Sequence, residues 1–575
     1  MLESSFKESL DPSYLKIFTK FEDVLKATKD DKGKRMDLIV QFSSIYMMPK
    51  ELWDEYFELT HKTPHALEER ERTTIMVLPS VYHFFYKYPI GARDHFGPIR
   101  LPKRKLLRWK VAAISTFDLG IGISSNSETL INDISFPNEN IERKWRQYEK
   151  SSSSMPPQKV VKLYQKMKAL FAKIEAIDKN DDEKWIKTLL EVEDNEFVEH
   201  NIEYRIGTNL TNKKLWKLYI QYLKDQQQNS YRLLHTYSKY CRFFLDDVEM
   251  KEEYRQAAKD YGSPVEVPWK NPFDFEIFGE NVLKNYFFKN DNLSYNYYEE
   301  EENNKVTVYF NTDNLIKQQN FPFKTPFIHY IIQNANARVL QNLFKCCKWF
   351  FVKNPIPLCY SLVTKQRPME KPQINFYQQS VEVVKIALNE TGIENIYLST
   401  ALKIMSLRDR MMLSKFIPKM FKCDAKYISI VNQNLTFKEL QFLIGHGNVV
   451  DLSLSEVHII DGDNKKEVVI EDIIKLIPKA QFIDIAGIAS TPKTAQILSQ
   501  LKFENKMESF NLKMENLEPN DFVEFIKKNL APKSRIFIHF KFNHNVDNIF
   551  NFREIVENAI NTHWKESEKP MIKVI

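Results

Sequence analysis

The sequence predicts two kinds of fold, an α-solenoid in the N-terminal half and an α/β solenoid in the C-terminal half. Tryptophan recurs in the first half at intervals of 31 to 40 residues, at Trp109, Trp145, Trp185 and Trp216. Periods of this size are typical of stacked helix hairpins, because one hairpin cannot bury its own apolar face. After residue 360, short β-branched runs alternate with helical patterns, which predicts repeated strand–helix units.

Aromatic pairs strengthen the prediction of helical repeats. Several tryptophans precede a tyrosine by three positions, and residues three apart lie on one face of a helix. Each pair therefore presents a broad aromatic wedge that must be buried. We predict that these rings form the repeat core and do not stack on nucleic-acid bases. The predicted core residues are Trp53, Tyr56, Trp109, Trp145, Tyr148, Trp185, Trp216 and Tyr219.

Helical spacing of apolar residues continues from Tyr14 to Gly262, with no competing β-type alternation. A first domain over residues 1–262 follows from this pattern. Its helices are predicted at 15–27, 34–46, 52–61, 66–86, 105–119, 141–150, 159–177, 185–193, 196–206, 215–224, 231–244 and 249–260.

The tryptophan motifs resemble a named family, the HAT (half-a-TPR) repeats. The run from Leu215 to Tyr222 matches the Trp-x-x-Tyr-x-x-aromatic pattern in full, whereas Thr188 replaces the tyrosine expected after Trp185. Over residues 10–260 the order of motifs is similar to that of HAT factors in spliceosomal small nuclear RNA recycling. The resemblance implies a TPR-like scaffold, protein partners in an RNA-processing complex and a homodimer. No RNP-type run follows the array, so direct RNA contact is not carried over.

Residues 263–320 are predicted to be a linker, with one short strand at 305–310. Residues 321–352 then follow the order of an F-box, although Phe321 stands where leucine usually precedes the proline. In F-box proteins such a motif docks on a Skp-type adaptor subunit of a ubiquitin ligase. The resemblance implies a docking face made of Pro322, Ile328, Ile331, Ile332, Leu340, Leu343 and Trp349.

Residues 353–575 form the predicted strand–helix domain, with unit starts 22 to 32 residues apart. This spacing resembles leucine-rich-repeat solenoids, and residues 321–560 together resemble F-box-associated proteins of a family expanded in nematodes. Strands are predicted at 427–430, 449–454, 481–485, 510–514 and 535–542. Helices are predicted at 437–444, 470–477, 494–501, 521–528 and 549–560. Gly445 and Gly447 are predicted to separate the first of these helices from the next strand.

Composition excludes several classes of function. The 82 basic and 76 acidic residues give a net charge of +6, which is too small to indicate a nucleic-acid-binding stripe. The five cysteines lack CxxC spacing, which predicts a reducing, intracellular setting. No apolar run is long enough to span a membrane. The densest basic cluster contains Lys103, Arg104, Lys105 and Arg108. It is interpreted as a solvated helix face, with a nuclear-import or RNA-backbone patch as the alternative.

No catalytic, cofactor or metal motif is present. The leading hypothesis is therefore a non-enzymatic protein-interaction scaffold of an RNA-processing complex, in pre-mRNA splicing or a small nuclear ribonucleoprotein. Its expected location is the nucleus, with the cytoplasm as a second location. The alternative is an F-box substrate adaptor of a ubiquitin ligase. A third alternative is that a gene-model error joins the two halves, which transcript sequencing across residues 263–320 would test.

Overall fold

The chain forms two compact units. Unit 1 comprises Met1–Arg146 and Gln158–Glu302, and unit 2 comprises Gln147–Pro157 and Asn303–Ile575. The short segment Gln147–Pro157 thus belongs to unit 2, although unit 1 residues flank it on both sides. The computed structural model describes residues 4–28, 31–61, 83–84, 127–226, 230–262, 265, 267, 269–276, 324–365, 372–386, 388–406, 409–461, 467–514, 517–540 and 546–574.

Unit 1 is helical, as predicted. The helices predicted at 66–86 and 105–119 and the strand predicted at 305–310 lie outside the described residues, apart from the helical residues 83 and 84. The helices are α1 Ser4–Glu8, α2 Pro12–Ala27, α3 Lys32–Ser43, α4 Lys50–His61, α5 Ser127–Ile134, α6 Ile141–Ser151, α7 Gln158–Glu175, α8 Asp182–Leu189, α9 Asn195–Thr208, α10 Lys213–Asp225, α11 Ser230–Cys241 and α12 Val248–Tyr261.

Side-chain caps determine where many of these helices begin. A carboxylate or amide oxygen accepts a hydrogen bond from the main-chain N–H three residues later, which satisfies a donor that the first turn leaves free. Asp181 accepts from Lys184 N, for example, and Asn212 accepts from Leu215 N. The same capping bond is present at the start of α3, α9 and α12, where the side chains of Asp31, Asp194 and Asp247 accept it.

Helix α2 is in contact with the segment between α11 and α12. The rings of Tyr14 and Phe243 lie 4.7 Å apart, and Asp246 Oδ2 accepts from Ser13 N at 3.0 Å. Arg242 O accepts from Met47 N at 3.3 Å. In an open repeat array each repeat contacts only its neighbours, so these contacts are not those of an open array.

Part of the predicted linker belongs to the core of unit 1. Trp269 and Glu276 are each 2% exposed, and Val265 is also buried. Glu276 pairs with Arg242 of the region after α11, with 2.7 Å between the carboxylate and the guanidinium. The high content of Asn, Tyr, Phe and Pro suggested a linker, but aromatic rings that follow a helical array can also pack against its end.

Unit 2 combines helices with a parallel sheet, so the α/β prediction is confirmed at this level. Its helices are α13 Thr325–Asn334, α14 Ala337–Cys346, α15 Lys348–Lys353, α16 Met412–Phe416, α17 Phe437–Ile444, α18 Ile470–Ile474, α19 Thr494–Gln500, α20 Pro519–Asn529 and α21 Val546–His563. Its strands are β1 Leu358–Lys365, β2 Gln373–Tyr377, β3 Ser380–Val384, β4 Ile396–Met405, β5 Met420–Cys423, β6 Tyr427–Val431, β7 Asn434–Thr436, β8 Asp451–Ser455, β9 His458–Ile460, β10 Phe482–Ala486, β11 Met507–Met514, β12 Leu530–Phe540 and β13 Met571–Val574.

Eleven of the described strands form one large sheet in the order β13-β12-β11-β10-β8-β6-β4-β1-β3-β2, with β5 beside β4. Only β2 runs antiparallel to its neighbour in this described sheet. A separate parallel pair joins β7 and β9. From β4 to β13 the sheet order follows the chain order, which keeps successive strand–helix units next to each other.

One face of the sheet is buried beneath the helices. In-register rows of apolar side chains cross from β4 to β12, and one row contains Leu402, Ile428, Leu452, Ile483, Phe510 and Ile536. These residues share one core with the buried faces of α17 to α21. Since right-handed crossovers between sequentially ordered parallel strands all lie on one side, the helices cover this face.

The turn after α17 requires its glycines. Gly447 has φ of +70°, a conformation that L side chains rarely adopt. A Cβ on Gly445 would lie 2.5 Å from Gln441 O, inside any normal contact distance. The predicted helix stop and strand start therefore have a steric basis.

Candidate binding face on the sheet

The second face of the sheet is polar. We call it the open face, defined by the in-register row Lys403, Ser429, Ser453, Asp484 and Asn511. Their side chains are half-buried or exposed. Asn511 donates to Asp484 Oδ1 at 2.8 Å, and burial together with the charge of Asp451 raises the pKa of Asp484. This face differs from the helix-covered one in presenting hydrogen-bonding groups and charges.

A segment of the chain itself lies at one edge of the open face. We call this segment, Gln147–Pro157, the strap. Lys150 of the strap forms an ion pair with Asp451, and its Nζ lies 5.0 Å from the centroid of the Tyr427 ring and 6.0 Å from that of Phe482. Tyr427, Asp451 and Phe482 are in register on β6, β8 and β10. The lysine therefore sits over three adjacent strands.

Glu149 of the strap is bound through both its side chain and its main chain. Its carboxylate accepts from the Tyr427 hydroxyl at 2.6 Å and from Lys426 Nζ at 2.9 Å. Its main-chain oxygen accepts from the Tyr360 hydroxyl at 2.8 Å. Burial, and then the charge of Glu149, raise the pKa of Tyr360, so this hydroxyl stays protonated as a donor. Glu149 is buried, and these three bonds satisfy the polar groups that burial would otherwise leave unpaired.

The rest of the strap is held mainly through its main chain. Ser153 O accepts from Gln379 N at 3.0 Å and from Ser380 Oγ at 2.9 Å. Met155 N donates to Gln379 Oε1 at 3.1 Å. Pro156 O accepts from the Arg338 guanidinium at 2.7 Å. These bonds continue the line of contacts from β6 and β1 to β3 and α14.

Most of the predicted aromatic core residues that the structure describes are buried in unit 1. Trp53, Tyr56, Trp185, Trp216 and Tyr219 are buried in the core of unit 1. Trp216 Nε1 donates to Leu210 O at 3.0 Å, and the Tyr219 hydroxyl donates to Glu203 at 2.8 Å.

Trp145 and Tyr148 lie three residues apart on α6. Trp145 is half-buried and stacks on Tyr164 with ring centroids 4.5 Å apart. Tyr148 is buried and belongs to the strap.

The predicted F-box segment does form short helices, α13 to α15, but its predicted docking face is partly buried. Ile328, Ile332 and Leu340 pack in a core that includes Tyr397 of β4. Leu343 and Trp349 are half-buried against the same core, while Ile331 is exposed. Three residues of the predicted face thus point inward, because the sheet provides an apolar surface that the sequence pattern did not reveal.

A different apolar stripe of α13 is exposed. Phe327 is 62% exposed and Tyr330 is 66% exposed, and Ile331 lies beside them at the i, i+3, i+4 spacing of one helix face. The predicted Pro322 and Trp109 lie outside the described residues, as do Lys103, Arg104, Lys105 and Arg108 of the basic cluster.

Neither a family model nor a curated protein matches this chain. Across the part of the chain that the structure describes, no group of three or more His, Cys, Asp or Glu side chains could hold a metal ion. Within the same residues, the helices are too short or too polar to cross a membrane.

Sequence reasoning missed the strap and its binding groups. The serine run Ser151–Ser154 indicated only a loop between two helices. Glu149 and Lys150 resembled ordinary surface charges at a helix end. Their partners lie 211 to 301 positions away in the chain, so only the folded sheet brings the groups together.

Proposed function

We propose that the chain is a non-enzymatic protein-interaction scaffold and that the open face of unit 2 is its principal binding surface. The observation that carries this proposal is the strap, a stretch of polypeptide bound on the open face through side-chain and main-chain hydrogen bonds. A face that holds one polypeptide segment in this way has the donors, acceptors and charges to hold another. The row from Lys403 to Asn511 extends this surface beyond the strap.

The sequential strand order supports a leucine-rich-repeat-like solenoid for unit 2. A helix on the covered face lies between each of the sheet strands β6, β8, β10, β11 and β12 and the next strand of the sheet, so each unit packs on the next, as in solenoid folds. In unit 1 successive helices also pack against each other, which supports a helical repeat array. The contact of Tyr14 with Phe243 favours an array closed on itself over an extended one.

We propose an RNA-processing complex, in the nucleus, as the setting of this scaffold. The support is the series of tryptophan motifs. Trp53 and Trp216, each followed by a tyrosine three positions later, are buried where a repeat core needs them, and Trp185 is buried as well. Affinity purification of the full chain at low salt should recover spliceosomal proteins. Recovery of none of them, from an extract in which a known splicing factor does recover them, would contradict this setting.

A second candidate is an F-box adaptor, because α13 exposes an apolar stripe next to the sheet domain. The stripe Phe327, Tyr330 and Ile331 replaces the face that the sequence predicted. Changing Phe327→Ser together with Tyr330→Ser should abolish co-purification of a Skp-type subunit. The exposed neighbour Gln333→Ala provides the matched control and should leave co-purification unchanged. This candidate would be rejected if the unmodified chain, the double variant and the control recovered equal amounts of the Skp-type subunit, or if the unmodified chain recovered none.

A further inference from the structure

Residues of the sheet and its flanking turns hold the strap, and we call them the strap site: Tyr360, Gln379, Ser380, Lys426, Tyr427 and Asp451. Arg338 of α14 adds a hydrogen bond to Pro156 O. Tyr360, Ser380, Tyr427 and Asp451 lie on β1, β3, β6 and β8, where β1 pairs with β3, β6 pairs with β8, and β4 joins the two pairs. The large core beneath α17 to α21 contains no strap residue, although Met155 of the strap packs against the smaller core that includes Leu340. The strands of the strap site are therefore held together mainly by contacts that do not involve the strap.

The strap site selects a particular chemistry. Lys426 Nζ and the Tyr427 hydroxyl both donate to the Glu149 carboxylate. The ammonium group of Lys150, the next residue, pairs with Asp451 and lies over the rings of Tyr427 and Phe482. The Tyr360 hydroxyl, Gln379 N and Ser380 Oγ donate to main-chain oxygens, which any peptide offers. Charge order therefore distinguishes ligands: an acidic residue must immediately precede a basic one, at the end of a helix.

We propose that the strap site is a peptide-binding site for a partner protein that presents such a Glu–Lys pair, and that the strap is its built-in competitor. This inference rests on the proposed scaffold function and specifies the partner chemistry. The strap is covalently attached, so it competes with an effective concentration on the order of millimolar. A partner segment binds when it displaces Glu149 and Lys150 and repeats their contacts.

The test uses the full chain and a fluorescein-labelled peptide with the sequence of residues 141–157. The variant Glu149→Gln, Lys150→Met keeps the size of both strap side chains and removes their charges. Fluorescence anisotropy should show that this variant binds the peptide at least about tenfold more tightly than the unmodified chain, because the competitor is weakened. Adding Lys426→Met and Asp451→Asn should reverse the gain by a similar factor. A peptide with Gln and Met at the two charged positions should not bind.

Three outcomes would overturn the inference: equal binding by the unmodified chain and the strap variant, binding by neither, or equal binding of the charge-free peptide. If the double variant does not fold by circular dichroism, Lys150→Gln alone supplies the comparison, with a gain of about threefold or more expected and no gain counting against the inference. If one of these three outcomes is found but the full chain still recovers partner proteins, the strap-site inference is overturned and the proposed scaffold function is not. A positive peptide result without such partners would instead count against the RNA-processing setting.

Discussion

At the scale of single residues, the structure contains a histidine that must stay neutral. His83 is buried, and its Nε2 accepts from Met48 N at 2.6 Å, which requires an unprotonated nitrogen. Burial, and then the charge of Lys239, lower the pKa of His83 from 6.5 to about 3. The unfolded chain therefore binds this proton near pH 6.5, whereas the folded chain binds it only near pH 3.

The stabilisation from His83 should be complete above pH 6.5 and should be lost as the pH falls toward 3. Between pH 7 and pH 5 the loss should be about 2 kcal/mol in the free energy of unfolding. Urea denaturation at both values should show this loss in the unmodified chain and not in His83→Gln, whose amide does not titrate. Equal losses in the two proteins would show that His83 is not buried in the neutral form.

A second residue-scale prediction concerns the buried carboxylate of Glu276. It accepts from Arg242 at 2.7 Å, from Ser238 Oγ at 2.7 Å and from the Tyr254 hydroxyl at 2.7 Å. Burial alone would raise the pKa of Glu276, but the bonds and charge of Arg242 outweigh it and lower the pKa.

Glu276→Gln would leave the Arg242 charge buried without its counter-ion, so it should destabilise unit 1 by roughly 3–5 kcal/mol. Glu252→Gln is the matched control, since it breaks an ion pair with Arg255 in which both side chains are more than half exposed. The control should cost less than about 0.5 kcal/mol. Chemical denaturation measures both, and similar costs would contradict the buried network.

At the scale of elements, the two faces of one strand should respond differently to mutation. Leu454 of β8 points into the core beneath the helices, whereas Ser453 lies on the open face. Leu454→Ala should cost about 2–5 kcal/mol through lost burial and a residual cavity. Ser453→Ala should stay within about 0.5 kcal/mol of the unmodified chain. Thermal and urea unfolding compare the two, and reversed effects would contradict the sheet orientation.

Most elements were predictable from local pattern. Helix α17 spans Phe437–Ile444, as predicted, because Thr436 and Glu439 form a capping box at its start. The prediction missed β4, Ile396–Met405, whose Ala, Leu, Lys and Met favour helix. Pairing with β1 on one side and β6 on the other overrides that local preference.

At the scale of the whole molecule, sequence pattern predicted a helical part and an α/β part. It did not predict that Gln147–Pro157 belongs to unit 2 or that Val265 and Trp269 lie in the core of unit 1. Both features depend on contacts between distant positions. The open face was not predicted either, because the row formed by Tyr427, Asp451 and Phe482 exists only through strand register.

Carbodiimide coupling without a spacer, followed by peptide mass spectrometry, tests directly whether the strap is bound on the open face in the intact chain, because only lysines and carboxylates in contact are joined. We predict amide cross-links between Lys150 and Asp451 and between Lys426 and Glu149, alongside the control pair Lys415 and Asp409, whose charged atoms are 3.1 Å apart. The control cross-link without either strap cross-link would contradict the binding of the strap on the open face.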